Sequence, residues 1–490
     1  MSRTVDTYNP QIKVTLHKTI GRKTLSGSYP VSVRFERTDN KIDLSQYLGD
    51  GSSVMTSKSI REPAGGFTIS LIDKPYENQD SLESLYGVIE PMDFVEIRMS
   101  HAPNGSKIIP IIMRGFISEI RRSESMGADG KPVRSVVLVG QDYGKIWQML
   151  QVIYMPGYVV GQDFITNFKL FERYDFGFKT VLPSHEFVKE VHEKIINPYL
   201  KELMPEGTKN PIAIKLDKVI DDGGAASVTA VQNHEGTLYN LLKMYTDVGI
   251  WNELYLEDDE EGVHVVFRPA PTLKLDGKTR IQSRAPAPKV IPIDIHHVIN
   301  MTVSRSDANV ANYYWVRGPR FDYNSDVYRR LNAVNSADRD TVLLDKYQNT
   351  SSKLYGIRAM YGETQTGPND IFTDNSGLPE AEENARLEEI SNWIGVRRKI
   401  MVEQNRDNVV LEHGTLRMFG NELVRAGMYI NLKRGAFNAL YYVTQVDHSF
   451  VPFNGFVSTL TFERGLGFVE RAKMDSGKQS PWIAERTIRS

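Results

Sequence analysis

The amino-acid sequence predicts a mainly β protein of the α+β class, in which two copies of one barrel-like or sandwich-like unit are separated by a different middle domain. Three observations predict it. The block "DFVEIRMSHAPNGSKIIPIIMRGFISEIRRSESMGADGKPVRSVVLVGQDY" (93–143) holds three short apolar runs separated by turn-like segments. The block "GMYINLKRGAFNALYYVTQVDHSFVPFNGFVSTLTFERG" (427–465) holds three more in the same order. Residues 151–290, between them, mix helical and strand patterns. Val95 and Ile97 match Ile430 and Leu432. Phe116, Ile117 and Ile120 match Tyr442, Val443 and Val446, and Val137 and Val139 fall where Leu460 and Phe462 do. Residues two apart on a strand point the same way, so each set gives one buried face. Any strand-rich chain can also produce such triplets by chance, and pattern alone leaves that reading open.

Along the chain, residues 1–29 are polar and uneven and read as an N-terminal arm. "VSVRFER" (31–37), "SVMTSKSIRE" and "GFTISLID" alternate like strands. "DSLESLYGVI" (80–89) carries a helix start with Asp80 or Ser81 as N-cap. Asp129-Gly130 marks a hairpin, because both residues tolerate positive φ, and "YGKIWQML" reads as helix. Residues 30–150 thus form the first strand-rich unit. In 151–290, "SHEFVKEVHEKIINPYLKELM" (184–204) is an amphipathic helix with Phe187, Val191, Ile195 and Tyr199 on one face, kinked at Pro198. "PIAIKLDKVI" reads as a strand, "GTLYNLLKMYTDVG" as a short helix stopped by Gly249, and 250–271 as two strands around an acidic turn. The proline-rich "SRAPAPKVIP" marks a boundary. The second unit takes 291–320 and 380–465, interrupted by a polar excursion at 321–379 and followed by a C-terminal tail, 466–490. Helix 378–404 is the strongest in the chain. Acidic residues crowd its start, while Arg397, Arg398 and Lys399 lie toward its end, as the helix dipole favours.

Composition bounds what such a chain does. With 490 residues the length suits about three domains of ~150 residues. Apolar residues make up 40% and charged residues 24%, which describes a globular chain with a sizeable core. A formal net charge of −2 gives no global field to recruit nucleic acid or an acidic membrane. No apolar run is long enough to span a bilayer, and "MSRTVDTYNP" lacks the core of a signal peptide. Cysteine is absent, which excludes disulfides and thiolate zinc sites. The 23 Tyr and 20 Phe suit strands and broad interfaces.

Catalytic and metal patterns fit poorly. His185 and His192 are seven apart on a helix, whereas a zinc-protease helix places its histidines four apart with a glutamate between, so a solvated helix face reads better. His296 and His297 sit in an alternating stretch and should point oppositely. "EDDEEG" (257–262) concentrates carboxylates but lacks the ligand spacing of a calcium loop, and reads as a hairpin turn. Asp338 and Asp340 likewise lack a loop glycine. No nucleophile elbow, P-loop or dinucleotide fingerprint is present. A helix end and a strand end explain "GVRRKI" and "SEIRRS" better than DNA binding does. No catalytic, cofactor or metal residues are assigned.

The order of the C-terminal motifs carries a resemblance. "HGTLRMFGNELVRAGMYINL", "YYVTQVDHSF" and "FVSTLTFERG", preceded by "SSKLYGIRAMYGE" and "EAEENARLEEI", resemble the C-terminal barrel of phage baseplate hub proteins of contractile tails. That family includes the late-control tail proteins and the hub part of type VI secretion spike proteins. "LYNLLKMYTDVGIWNELYLEDDEEGVHVVFRPAP" looks like its middle domain, and "DFVEIRM" with "MRGFISEIRR" like its first barrel, so the resemblance covers most of 30–465.

The resemblance implies two tube-like β-barrel domains flanking a mixed α/β middle domain. It implies a structural, non-enzymatic hub: a homotrimer presenting six barrels, which adapts a hexameric tail tube to a trimeric central spike. DNA would pass through without sequence-specific binding. Implied partners are the spike, the tube or its initiator and other baseplate proteins, with assembly in the host cytoplasm and no membrane insertion. Only 25 residues follow residue 465, so the spike is expected to be a separate protein. Trp482 and Ile483 in the tail are expected to dock on a neighbouring chain. Two other classes stay open, a tail-associated cell-wall hydrolase and a receptor- or glycan-binding tip protein.

Overall fold

The computed structural model describes residues 9–19, 41–78, 81–101, 109–126, 130, 132–152, 181–203, 213–227, 236–318, 347–368, 379–434 and 437–467. The strand expected at 31–37, the turn residue Asp129, the acidic pair Asp338 and Asp340, and Trp482 and Ile483 lie outside them. The first half carries β1 (Gln11–His17), β2 (Lys41–Asp43), β3 (Ser53–Ser59), β4 (Gly66–Ile72), β5 (Pro75–Asn78), β6 (Ser81–Ser84), β7 (Phe94–Ser100), β8 (Ile111–Met126) and β9 (Pro132–Asp142). The middle carries β10 (Gln151–Val152), β11 (Val181–Pro183), β12 (Ile214–Val219), β13 (Ala225–Ser227), β14 (Gly236–Thr237), β15 (Asn252–Asp259) and β16 (Gly262–Pro269). The last part carries β17 (Val290–Asp294), β18 (Val298–Ser304), β19 (Tyr313–Arg317), β20 (Ala359–Glu363), β21 (Glu412–Phe419), β22 (Tyr429–Arg434), β23 (Phe437–Val451) and β24 (Gly455–Gly465).

The repeat is a repeat of topology. Across the sheet the first half runs β3-β4-β9-β8-β7-β1, and the second runs β18-β21-β24-β23-β22-β17. Strand for strand, the order along the chain and the order across the sheet coincide. Even an irregularity repeats. The β8–β9 register slips between Ile117 and Glu119, and the β23–β24 register slips between Val443 and Gln445. Ser118 and Thr444 are therefore equivalent bulge residues. Pairing places Leu138 where Leu460 lies, each opposite an equivalent residue, Ile120 or Val446. Val137 and Val139 are thus one residue out of phase with the positions the sequence pattern assigns them. "VVLV" is apolar throughout, so alternation cannot say which residues face inward.

One large-to-small pair is inverted between the copies. Gly140 lies opposite Phe67, whose ring fills the space of a Cβ at 140, while Phe462 lies opposite Gly414. Strand direction also differs once: β1 runs antiparallel to β7, but β17 runs parallel to β22.

The two units are joined edge to edge. Among the described strands no barrel closes. Instead β3 pairs along its outer edge with the distal part of β23, Ser59 with Gln445 through Val54 with Phe450, and thirteen strands form one sheet. Phe450 and Phe456 accordingly belong to the apolar core of the first half.

Several local expectations change. The N-terminal segment contributes a strand, β1, because Val14 and Leu16 alternate inward beside β7. Ser81–Ser84 is a strand, and the short helix Leu85–Val88 starts after Ser84. His296 and His297 share a 3₁₀ turn capped by Asp294 and are both exposed, so strand alternation does not separate them. The amphipathic helix passes through a π-turn, His192–Ile196, just before Pro198; the widened turn accommodates the hydrogen bond that proline cannot donate. The helix Glu380–Asn405 forms as its pattern predicts. Arg397 is not a dipole partner at its end, however. It is buried, stacked 4.4 Å from the Trp393 ring and 5.4 Å from Trp251, and ion-paired with Asp222 and Asp247.

Candidate assembly interface

The internal junction shows how two of these units join. One face of the β3–β23 seam carries Ser57, Ser59, Gln445, Asp447 and Ser449, with Met55. The other face carries Val54, Thr56, Lys58, Val446, His448 and Phe450, all buried or nearly so. Lys58 keeps the inward phase of Val54 and Thr56, which puts an ammonium in the core. It pairs there with Asp142 of β9 at 3.2 Å and with Asp258 of β15. Burial opposes its charge, but Asp258 and Asp142 outweigh burial and raise its pKa. Burial pushes the Asp142 carboxyl up against the pull of Lys58. Burial, and then the nearby Arg425, hold the His448 imidazole at about 3.

The acidic turn of the middle domain is a clamp. As expected it is a hairpin turn, with Asp259 opposite Gly262. Glu260 accepts from the Ile111 backbone N–H at 2.9 Å and pairs with Arg98 at 3.1 Å, while the Asp259 carbonyl accepts from Arg114. The base of the same ribbon grips the second unit: Glu253 accepts from the Tyr442 hydroxyl, and Arg268 donates to the Gly427 carbonyl at 2.7 Å. Arg425 and Glu422 reach back to the first unit, through the Ile111 and Ile112 carbonyls and through Ser100 and His101. Of the carboxylates of 257–262, Asp258 and Glu260 thus hold the first unit, whereas Glu257, Asp259 and Glu261 pair with Lys218, His264 and Lys215 inside the middle domain. Sequence reasoning passed over Lys58, Asp142 and Arg425. Its one available signal was a lysine in phase with Val54 and Thr56.

Histidines flagged in the sequence do not converge. His192 is buried against Trp147, and His185 lies 3.3 Å from Asp221. Among the described residues no group of three His, Asp or Glu side chains is arranged to hold a metal ion, and no helix is long and apolar enough to cross a membrane. A cleft of about 830 Å³ opens between the middle domain and the second unit; in its wall Arg61 pairs with Glu463.

Two strand edges complete the inventory. Among the described strands the segment 119–126 of β8 pairs only with β9, because the pairing of β8 with β7 ends at Phe116, opposite Phe94. Strand β18 pairs only with β21. Among the described residues neither outer edge has a strand partner.

No protein-family model matches the chain, and no curated protein matches it. Solved structures do. A tail protein from Neisseria meningitidis is 10% identical, with a TM-score of 0.45 over 93% of this chain and 97% of that one. A prophage tail protein from Listeria monocytogenes is 9% identical, with a TM-score of 0.41 over 97% and 98%. A type VI secretion component from E. coli is 9% identical, with a TM-score of 0.35 over 84% and 73%. The solved structures to which the chain is similar are thus tail and tail-related proteins.

Proposed function

We propose that the chain is a structural, non-catalytic hub of a phage tail baseplate. Three copies form a ring whose six strand-rich units adapt a hexameric tube to a trimeric spike. The observation that carries this reading is the duplicated six-strand topology with its duplicated bulge. A chain that supplies two equivalent units fills six positions with three copies, in a closed cyclic arrangement. The units act as tube-like barrels in the assembled ring, and the middle ribbon fixes their relative pose.

A near-neutral chain suits a lumen that DNA traverses without sticking. Assembly takes place in the host cytoplasm, and the hub resides in the virion tail. Trp482 and Ile483 dock on a neighbouring chain as an apolar anchor. Electron cryomicroscopy of the particle tests the reading: three copies around the axis at the tube–spike boundary support it, whereas two, four or six copies overturn it. Truncation after residue 470 tests the tail, and unchanged spike retention would remove Trp482 and Ile483 from the interface.

A further inference from the structure

The two unpartnered edges are the counterparts of the two edges already joined inside the chain. Ser118 is equivalent to Thr444, so β8 residues 119–124 correspond to β23 residues 445–450. Pairing through β4 and β21 makes Val54 equivalent to Met301 and Thr56 to Val303, so β3 corresponds to β18. Inside the chain the distal part of β23 takes β3 along its edge. Among the described residues the distal part of β8 has no such strand, and β18 has no such host.

We infer that β18 of one copy adds antiparallel to the distal edge of β8 in a second copy, in the register of the internal junction. That register sets Arg122 opposite Val303, Ser123 opposite Thr302 and Glu124 opposite Met301. Beyond Asn300 the β18 ladder is irregular, and there the contact brings Met126 near Ile299, which are 73% and 46% exposed in the single chain. Two exposed apolar side chains brought to the same end of the contact are a feature the register was not chosen to produce. The remaining face is polar, Ser123 and Ser125 with Thr302 and Asn300, as the equivalent internal face largely is. Met301 and Val303 are half-buried where their counterparts Val54 and Thr56 are buried, so the added strand supplies the missing cover. Because the donor edge and the host edge differ, the contact is head-to-tail and propagates from copy to copy.

This inference rests on the ring reading but is tested apart from it. The chain contains no cysteine, so introduced pairs report without background. Ser449→Cys with Met55→Cys is the internal control, since these residues are paired in the junction. Ser123→Cys with Thr302→Cys is its intermolecular counterpart. Directly opposed positions lie ~5 Å apart, within disulfide reach, whereas Ser125→Cys with Thr302→Cys is diagonal at ~7–8 Å and outside it.

The purified full-length chain is oxidised at rising concentration and read on a non-reducing gel. The control should close within one chain. The aligned pair should link chains roughly tenfold faster than the diagonal pair, and neither single variant should go beyond a dimer. No inter-chain bond from the aligned pair, with the control closed, overturns the inference, as does faster linkage of the diagonal pair. A ladder ending at three supports both this contact and the trimeric ring. A ladder running past three upholds the contact and defeats the ring. A trimer by sedimentation without the bond does the reverse.

Discussion

Lys58 and His192 show how single side chains set conditions on this fold. Replacing Lys58 with Met leaves Asp142 and Asp258 buried together without the ammonium that pairs with both. Loss of one partner from a buried ionic cluster costs about 3–5 kcal/mol, so urea unfolding of Lys58→Met should fall by that amount; a change within error would mean water reaches the site. His192 is held neutral by geometry, since its Nδ1–H donates to the Val188 carbonyl at 2.7 Å and its Nε2 accepts from the Trp147 indole at 3.1 Å. Burial lowers its pKa to about 4. A folded pKa below the unfolded value of ~6.5 means the contribution is whole above that pH and is lost as pH falls toward the folded value. The loss amounts to about 3 kcal/mol at this site. Urea titrations at pH 7, 5.5 and 4.5 should show that decline, and His192→Gln should flatten it. An unchanged slope in the variant would remove His192 as the source. Neither role was legible in the sequence, because a lone lysine or histidine does not announce its burial.

At the scale of the element, the repeated bulge and the long helix make the stronger claims. The bulge at Thr444 turns Val446, His448 and Phe450 onto the core face. Deleting Thr444 shifts the distal half of β23 by one residue and exchanges its faces. Circular dichroism should then show loss of the cooperative thermal transition, whereas Thr444→Ala should shift the midpoint by only a few degrees. Equal effects would mean that the bulge does not set the phase. In the helix Glu380–Asn405, Arg397 joins the middle domain by stacking between Trp251 and Trp393 and facing Asp222 and Asp247. Arg397→Met should cost about 3–5 kcal/mol in urea unfolding, and Arg397→Lys, which keeps charge but loses the planar stack, should recover only part of it.

The helix was legible from its acidic start and apolar spacing, but its buried face was not, because two arginines lie on it. The strands were legible from alternation, except where "VVLV" is apolar throughout. β1 was missed because its polar flanks obscure Val14 and Leu16.

For the whole molecule, the duplication was legible in the sequence but the way the copies join was not. Pairing between Val54 and Phe450 leaves no local mark, since each strand reads as complete by itself. The consequence is coupling. With one sheet and one charged clamp spanning both halves, calorimetry should give a single main transition for the units. Lys58→Met should separate it into two, and a wild-type scan that already resolves two transitions would refute the coupling.

The seam also places a constraint on biosynthesis. β3 leaves the ribosome early, while Gln445, the residue that covers Ser59, follows roughly 390 residues later. At ~5–20 residues per second the nascent chain holds that edge open for about 20–80 seconds. An open strand edge recruits other strands, and an inward-pointing lysine is one of the devices that blunt it. Lys58 stands on β3 itself; its first carboxylate partner, Asp142, arrives with β9, and its second, Asp258, only with the middle ribbon. Until then the ammonium, with Asp142 beside it and water on its open side, keeps the edge unattractive to stray chains. Afterwards the same charge is neutralised and enclosed. One residue thus protects the unfinished protein and then helps to lock the finished one.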